Sequence, residues 1–202
     1  MKNLIIVSLI SLASFSMIAC NNTNKSAANS TKDTTASTNA APADTKSTTA
    51  KGGVDPKTTA FVKEMVGNYL QLKNALTKDN SSDAATAGKA LSTGFAKLDQ
   101  SVLTPTQKKS FTDIADDAKE MAEHIGMSGG KLPHQREHFD MLSKDMVDLV
   151  KLFGADQPLF VDHCPMYNDK KGAIWLSETK EIKNPYMGSG MSSCGTIQEE
   201  LK

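Results

Sequence analysis

Between Phe61 and Phe153 apolar side chains return every three or four residues, four times over, and this spacing constrains the chain more than any other feature. Phe61, Met65, Tyr69, Leu72 and Leu76 make the first stripe, widened by Val62 and Val66, with Asp55 as a cap and Pro56 at the first helical position. Ala84, Ala87, Leu91, Phe95, Leu98 and Val102 make the second, with Ser82 and Asp83 able to cap it. Thr104, Pro105 and Gln107 spell a capping box before the third: Phe111, Ile114, Ala115, Ala118, Met121, Ala122 and Ile125. Gly126, Gly129 and Gly130 are expected to break that helix. The fourth opens near Pro133, carries Phe139, Leu142, Met146, Leu149, Val150 and Phe153, and stops at Gly154. Four amphipathic helices joined by short turns predict a mainly α fold, an antiparallel four-helix bundle with its Met and Phe stripes turned inward.

After Gly154 the period changes to two. Leu159, Val161 and His163 alternate with Phe160, Asp162 and Cys164, and Ala173 to Leu176 is a second short run. Asn168, Asp169, Lys170, Lys171 and Gly172 between them have turn chemistry. The expectation is a small C-terminal hairpin, with an irregular Cys/Met-rich segment packed on the bundle. Strand alternation would point Cys164 and Met166 the same way.

The N-terminus reads differently. Lys2, an apolar run from Leu4 to Ile18 and a small residue before Cys20 describe a secretory signal over residues 1–19, too short for a stable anchor. Met17 to Cys20 (MIAC) resembles the lipobox of bacterial lipoproteins, which implies cleavage before Cys20 and lipid on its sulfur. An ordinary signal peptide with Cys20 as a bystander is the plainer alternative. The same resemblance, with Asn21 and Asn22 after the cysteine, implies the periplasmic leaflet of the outer membrane. Residues 20–54 are nearly all Asn, Thr, Ser, Ala and Lys, a composition that cannot offset its ordering entropy, so they are expected to form a disordered tether. Extended, Asn21 to Gly53 would reach about 110 Å, and as a coil about 30 Å. The bundle domain then spans 55–202, with its metal-binding-type segment at 159–202.

With 23 basic and 23 acidic residues the chain has no net pull toward nucleic acid or an anionic bilayer, so the membrane is expected to hold it through the lipid alone. No phosphate loop, dinucleotide fingerprint, serine elbow, zinc-protease helix or CxxC occurs, and no enzymatic activity is expected.

What remains is a concentration of soft donors in the tail. Cys164, Cys194, Met166, Met187 and Met191, with His163, lie within one short stretch, and thiolate and thioether select Cu(I) over hard ions, with zinc the second choice. Each cysteine has a methionine two or three residues away, in a loop with little core to pack against. The competing reading is a Cys164 to Cys194 disulfide, worth about 3 to 4 kcal/mol in an oxidising compartment, stapling an interaction module that docks on an envelope complex and binds no metal. The two readings coexist if redox state gates the site. His124, His134 and His138 fall at one end of the expected bundle. Singly, each reads as a surface histidine. A fourth helix of about 30 Å, followed by a returning segment that can span about 33 Å, would let Cys164 join them. Trp175, Tyr167 and Tyr186 read as packing, or as a shell around a metal.

Gln135 to Ser143 (QREHFDMLS), then HCPMYNDKKGAIWLS and EIKNPYMGSGMSSCG, resemble a family of uncharacterised helical envelope domains. These occur alone on lipoproteins and at the C-terminal end of CusB-type heavy-metal efflux periplasmic adaptor subunits. The resemblance covers roughly Lys57 to Glu200 and rests on His163, Cys164, Pro165, Met166, Trp175, Asn184, Pro185, Tyr186, Met191, Cys194 and Gly195. It implies a role with copper or related metals beside an efflux adaptor or metallochaperone. The adaptor's own hairpin and barrel domains have no counterpart here.

Overall fold

The computed structural model describes residues 53–202. The expected signal peptide, Cys20 and nearly all of the tether lie outside the described residues. The rest is mainly helical, with a small antiparallel sheet at its C-terminal end.

Four long helices come first: α1 (Pro56–Thr77), α2 (Ser81–Phe95), α3 (Pro105–Met127) and α4 (Leu132–Phe153). Local chemistry sets most of their ends. Asp55 Oδ1 accepts the Lys57 N–H at 2.8 Å, and the Thr104 and Gln107 side chains satisfy each other's backbone N–H groups in a full capping box. Asn80, not Ser82 or Asp83, caps α2. The chain leaves α1 through Asp79 at φ 56°, which sets the Asn80 Oδ1 to accept the Asp83 N–H. Nor does α2 reach Val102: it stops at Phe95, and Val102 lies in a single 3-10 turn, Gln100–Val102, capped by Asp99.

Gly126 does not break α3. A Cβ there would lie 2.8 Å from Lys89 Cγ and 3.1 Å from the Lys89 N, while a Cβ on Gly88 would meet the Ala122 carbonyl at 2.9 Å. The two glycines let α2 and α3 approach backbone to backbone. Each helix packs on the next, and α4 returns onto α1. Phe61, Phe95, Phe111 and Phe153 meet in tilted and edge-on contacts at one level, Tyr69 stacks on Phe139 at another, and Met65 and Met146 are fully buried among them.

The hairpin forms as β1 (Leu159–Cys164) and β2 (Ala173–Ser177), with Cys164 opposite Ala173 and Asp162 opposite Trp175. The turn between them carries Asn168, Asp169, Lys170 and Gly172 at positive φ. A third strand, β3 (Thr196–Leu201), was not expected from the alternation. It pairs with the free edge of β1 across a bulge at Val161/Asp162, giving the order β2-β1-β3. The strand period also ends at Cys164. Pro165 has no N–H to continue the ladder, and Met166 adopts a helical conformation, so Met166 is half exposed while Cys164 is fully buried.

Polar bonds tie the sheet and tail to the helices. Tyr69 Oη lies 2.8 Å from Ser143 Oγ and accepts the Leu176 N–H at 3.1 Å, joining α1, α4 and β2. The buried Lys73 ammonium meets Glu178 at 2.6 Å, and Asn74 donates to the same carboxylate. Arg136 donates to the Pro185 carbonyl at 2.8 Å, to the Leu76 carbonyl at 3.0 Å and to Asp79, which also receives the Ser189 N–H. These bonds with Ser189 and Arg136 hold the Asp79 carboxyl at a pKa of about 2.

Candidate metal centre

Two donor groups are assembled, by different means. The first sits where α3 ends and α4 begins. His134 and His138 are one helical turn apart on α4, and the antiparallel α3 brings His124 against them. One nitrogen from each ring lies within 4.8 Å of the other two. The His134 and His138 Nε2 atoms are 3.2 Å apart. Two metal–nitrogen bonds of about 2.0–2.1 Å at a tetrahedral angle would separate their nitrogens by about 3.3 Å. His124 stacks on His138 at 4.5 Å between centroids, and His134 meets the same ring edge-on.

The outer nitrogens are also occupied. His138 Nδ1 faces the Met121 Sδ at 3.4 Å, and His134 Nδ1 faces a Glu137 carboxylate oxygen at 3.3 Å. A thioether sulfur and a carboxylate accept rather than donate, so each contact favours the Nδ1–H tautomer with the lone pair on Nε2, where the two rings converge; such outer partners orient metal-binding histidines. His124 has Glu120 at 3.8 Å. Burial, then the neighbouring charges of His124 and His134, lower the His138 pKa. His134 is exposed and the other two are half-buried, so an ion can reach them from solvent.

Met121 was expected in the core stripe. It packs against the core there, half-buried, and also turns its sulfur to His138. Its spacing of three from His124 was the available signal, masked by the apolar stripe that both readings share.

The second group joins the end of β1 to the tail. Cys164 Sγ and Cys194 Sγ are 3.5 Å apart, both as free thiols. Asn184 fixes the approach. Fully buried, it accepts the Tyr186 and Met187 N–H groups at 2.8 and 3.0 Å and donates to the Cys194 carbonyl at 2.6 Å. This is more than the turn expected of Asn184 and Pro185. Gly195 permits the close pass, since a Cβ there would lie 2.9 Å from both the His163 carbonyl and the Trp175 ring. Burial works to raise the Cys164 pKa. The Met166 N–H, the Asn184 amide, Cys194 and the Tyr167 N–H outweigh it, and the net shift is downward. Cys194 moves upward, through its hydrogen bond to Cys164 and its burial.

The other expected ligands are dispersed. His163 lies on the opposite face of β1 from Cys164, its ring against Gly172. Met166 and Met191 are 50% and 41% exposed, and Met187 packs against the core. Among the described residues no cysteine joins the three imidazoles, so the joint site expected of Cys164 and the histidines is not formed. The tail does return to the start of α4, on another side of it. Tyr167, Asn168 and Asp169 line a surface groove of about 710 Å³ with Pro133, Arg136 and Asp140. Trp175 and Tyr186 meet edge-on inside the core.

No curated protein and no solved structure matches the chain. A family model described as a protein of unknown function (DUF3347) matches residues 65–158, a stretch that contains His124, His134 and His138 and ends before Cys164 and Cys194.

Proposed function

We propose that this protein is a lipid-anchored, non-enzymatic metal-binding protein of the periplasmic face of the envelope that takes a heavy metal, copper foremost, and buffers it or passes it to an efflux system. The observation that carries this reading is the convergence of three imidazoles, two of which, His138 and His134, have their outer nitrogens held by Met121 and Glu137. Neutral imidazole suits copper and zinc, and among divalent first-row ions copper binds such a set most tightly. Because the His138 pKa is lowered, protons compete for that ring only at lower pH than for a free imidazole. The helix order and contacts fit an antiparallel four-helix bundle, in which the ion would sit at one end, between α3 and α4. The lipid anchor rests on the lipobox-like MIAC, and the efflux partner on the resemblance of the HCPM, NPY and MxxCG pieces to the envelope family.

Calorimetric titration of the full chain with Cu(II) and Zn(II) tests the site. Replacing His124, His134 and His138 together by alanine is expected to weaken Cu(II) binding at least about 100-fold, and Met121→Leu about 10-fold, the usual effect of losing an orienting partner. Unchanged affinity in the triple variant would remove the cluster from the function.

A further inference from the structure

We propose that Cys164 and Cys194 form a second metal site, a two-thiolate seat for Cu(I) that is independent of the imidazole cluster and is loaded through Cys194. It extends the metal-binding reading to a second place in the fold, and either site can fail without the other.

Two observations carry the proposal. The sulfurs are 3.5 Å apart, within the span of two metal–thiolate bonds of about 2.3 Å each. The tail is also held in place independently of any ion: the buried Asn184 donates to the Cys194 carbonyl at 2.6 Å, and Gly195 passes against the His163 carbonyl where a Cβ would lie 2.9 Å away, so the two sulfurs are set side by side in advance.

The donor count selects the ion. Zinc in a structural site takes four ligands, and no third His, Cys, Asp or Glu among the described residues groups with the two thiols. Cu(I) is the soft ion that two thiolates select; a linear pair of bonds of about 2.3 Å sets the sulfurs about 4.6 Å apart, so the partly exposed Cys194 moves out by about 1 Å as the ion enters. Access selects the route. Cys164 is fully buried at the end of β1, whereas Cys194 is partly exposed on the tail. An incoming ion meets Cys194 first, and a competing thiolate removes it from the same side. Binding releases a proton from each thiol still protonated and changes no oxidation state.

The test uses the native cysteines of the reduced full chain, so no folding defect can confuse it. Iodoacetamide labelling is followed by peptide mapping, which separates Cys164 and Cys194 from Cys20. Without metal, Cys194 should label well before Cys164. With buffered Cu(I) at ten times the dissociation constant, the Cys194 rate should fall about tenfold. The protection should persist in the variant lacking His124, His134 and His138. Labelling unchanged by Cu(I) overturns the proposal and leaves the imidazole site standing. Protection lost with the histidines also overturns it, by making the thiols dependent on the other site. A disulfide that reforms in the presence of a thiol reductant and Cu(I) overturns it in favour of the stapled interaction module.

Discussion

Replacing Asn184 by alanine tests how the tail is held. Its side chain bonds to three backbone groups, the N–H of Tyr186, the N–H of Met187 and the carbonyl of Cys194, from a fully buried position. Alanine supplies none of these bonds, and the loop is too well enclosed for water to replace all three. A buried group left without its partner costs about 1–3 kcal/mol. One of the three bonds is buried and two are half-buried, so the lower end applies and the loss should be about 3 kcal/mol. For a chain of this size that lowers Tm by about 6–12 °C. Urea unfolding followed by Trp175 fluorescence gives the free energy, and hydrogen exchange at Tyr186 and Met187 locates it. A loss below about 1 kcal/mol would refute the reasoning, because it would mean that water or a shifted loop satisfies the three groups.

Three further outcomes are expected. Burial raises the Asp162 pKa to about 7, with Lys73 opposing and Glu178 adding to the shift, and neither carboxylate oxygen has a hydrogen-bond partner. The folded chain therefore holds a proton there that the unfolded chain releases near pH 4, and stability should fall as pH rises from about 4 to about 7. Asp162→Asn should flatten that slope in urea titrations across this range, though not abolish it, since Asp145, half-buried beside Asp117 and Asp148, titrates in the same direction. Gly88→Ala would drive a methyl onto the Ala122 carbonyl and should cost about 1–3 kcal/mol in urea unfolding, whereas Gly67→Ala, in open space on α1, should stabilise by about 0.5–1 kcal/mol. Lys73→Met should lower stability by leaving Glu178 half-buried without its cation, and restoring it with Glu178→Gln would show that the charge, not the packing, was lost.

The helices were legible where a few neighbouring residues decide the outcome. Asp55 with Pro56, and Thr104 with Gln107, cap as their spacing indicates, because each bond is made within three residues. Asn80 is not distinguishable from its polar neighbours by spacing, because the choice among adjacent caps depends on the left-handed turn at Asp79. Gly126 was misread for a tertiary reason: its partner is Gly88, on another helix, and nothing in the local pattern separates a breaker from a close contact. Strand β3 has five exposed residues before Leu201. With no apolar alternation to announce it, its place on β1 is set by backbone pairing and a bulge.

The two donor groups differ in the same way. His134 and His138 share a helix face by spacing alone, and an antiparallel neighbour adds His124, so the imidazole group needs only α3 and α4, both inside the stretch matched by the family model. The thiol pair needs β1, the Asn184 clip and the glycine after Cys194 to meet, and no sequence period carries that information. The consequence is a built-in control. Loosening the tail at Asn184 should disturb Cys164 and Cys194 while the histidines keep their geometry, whereas Met121→Leu should disturb the histidines and spare the thiols. Cross-talk between the two variants would require a contact between the groups that the described residues do not make.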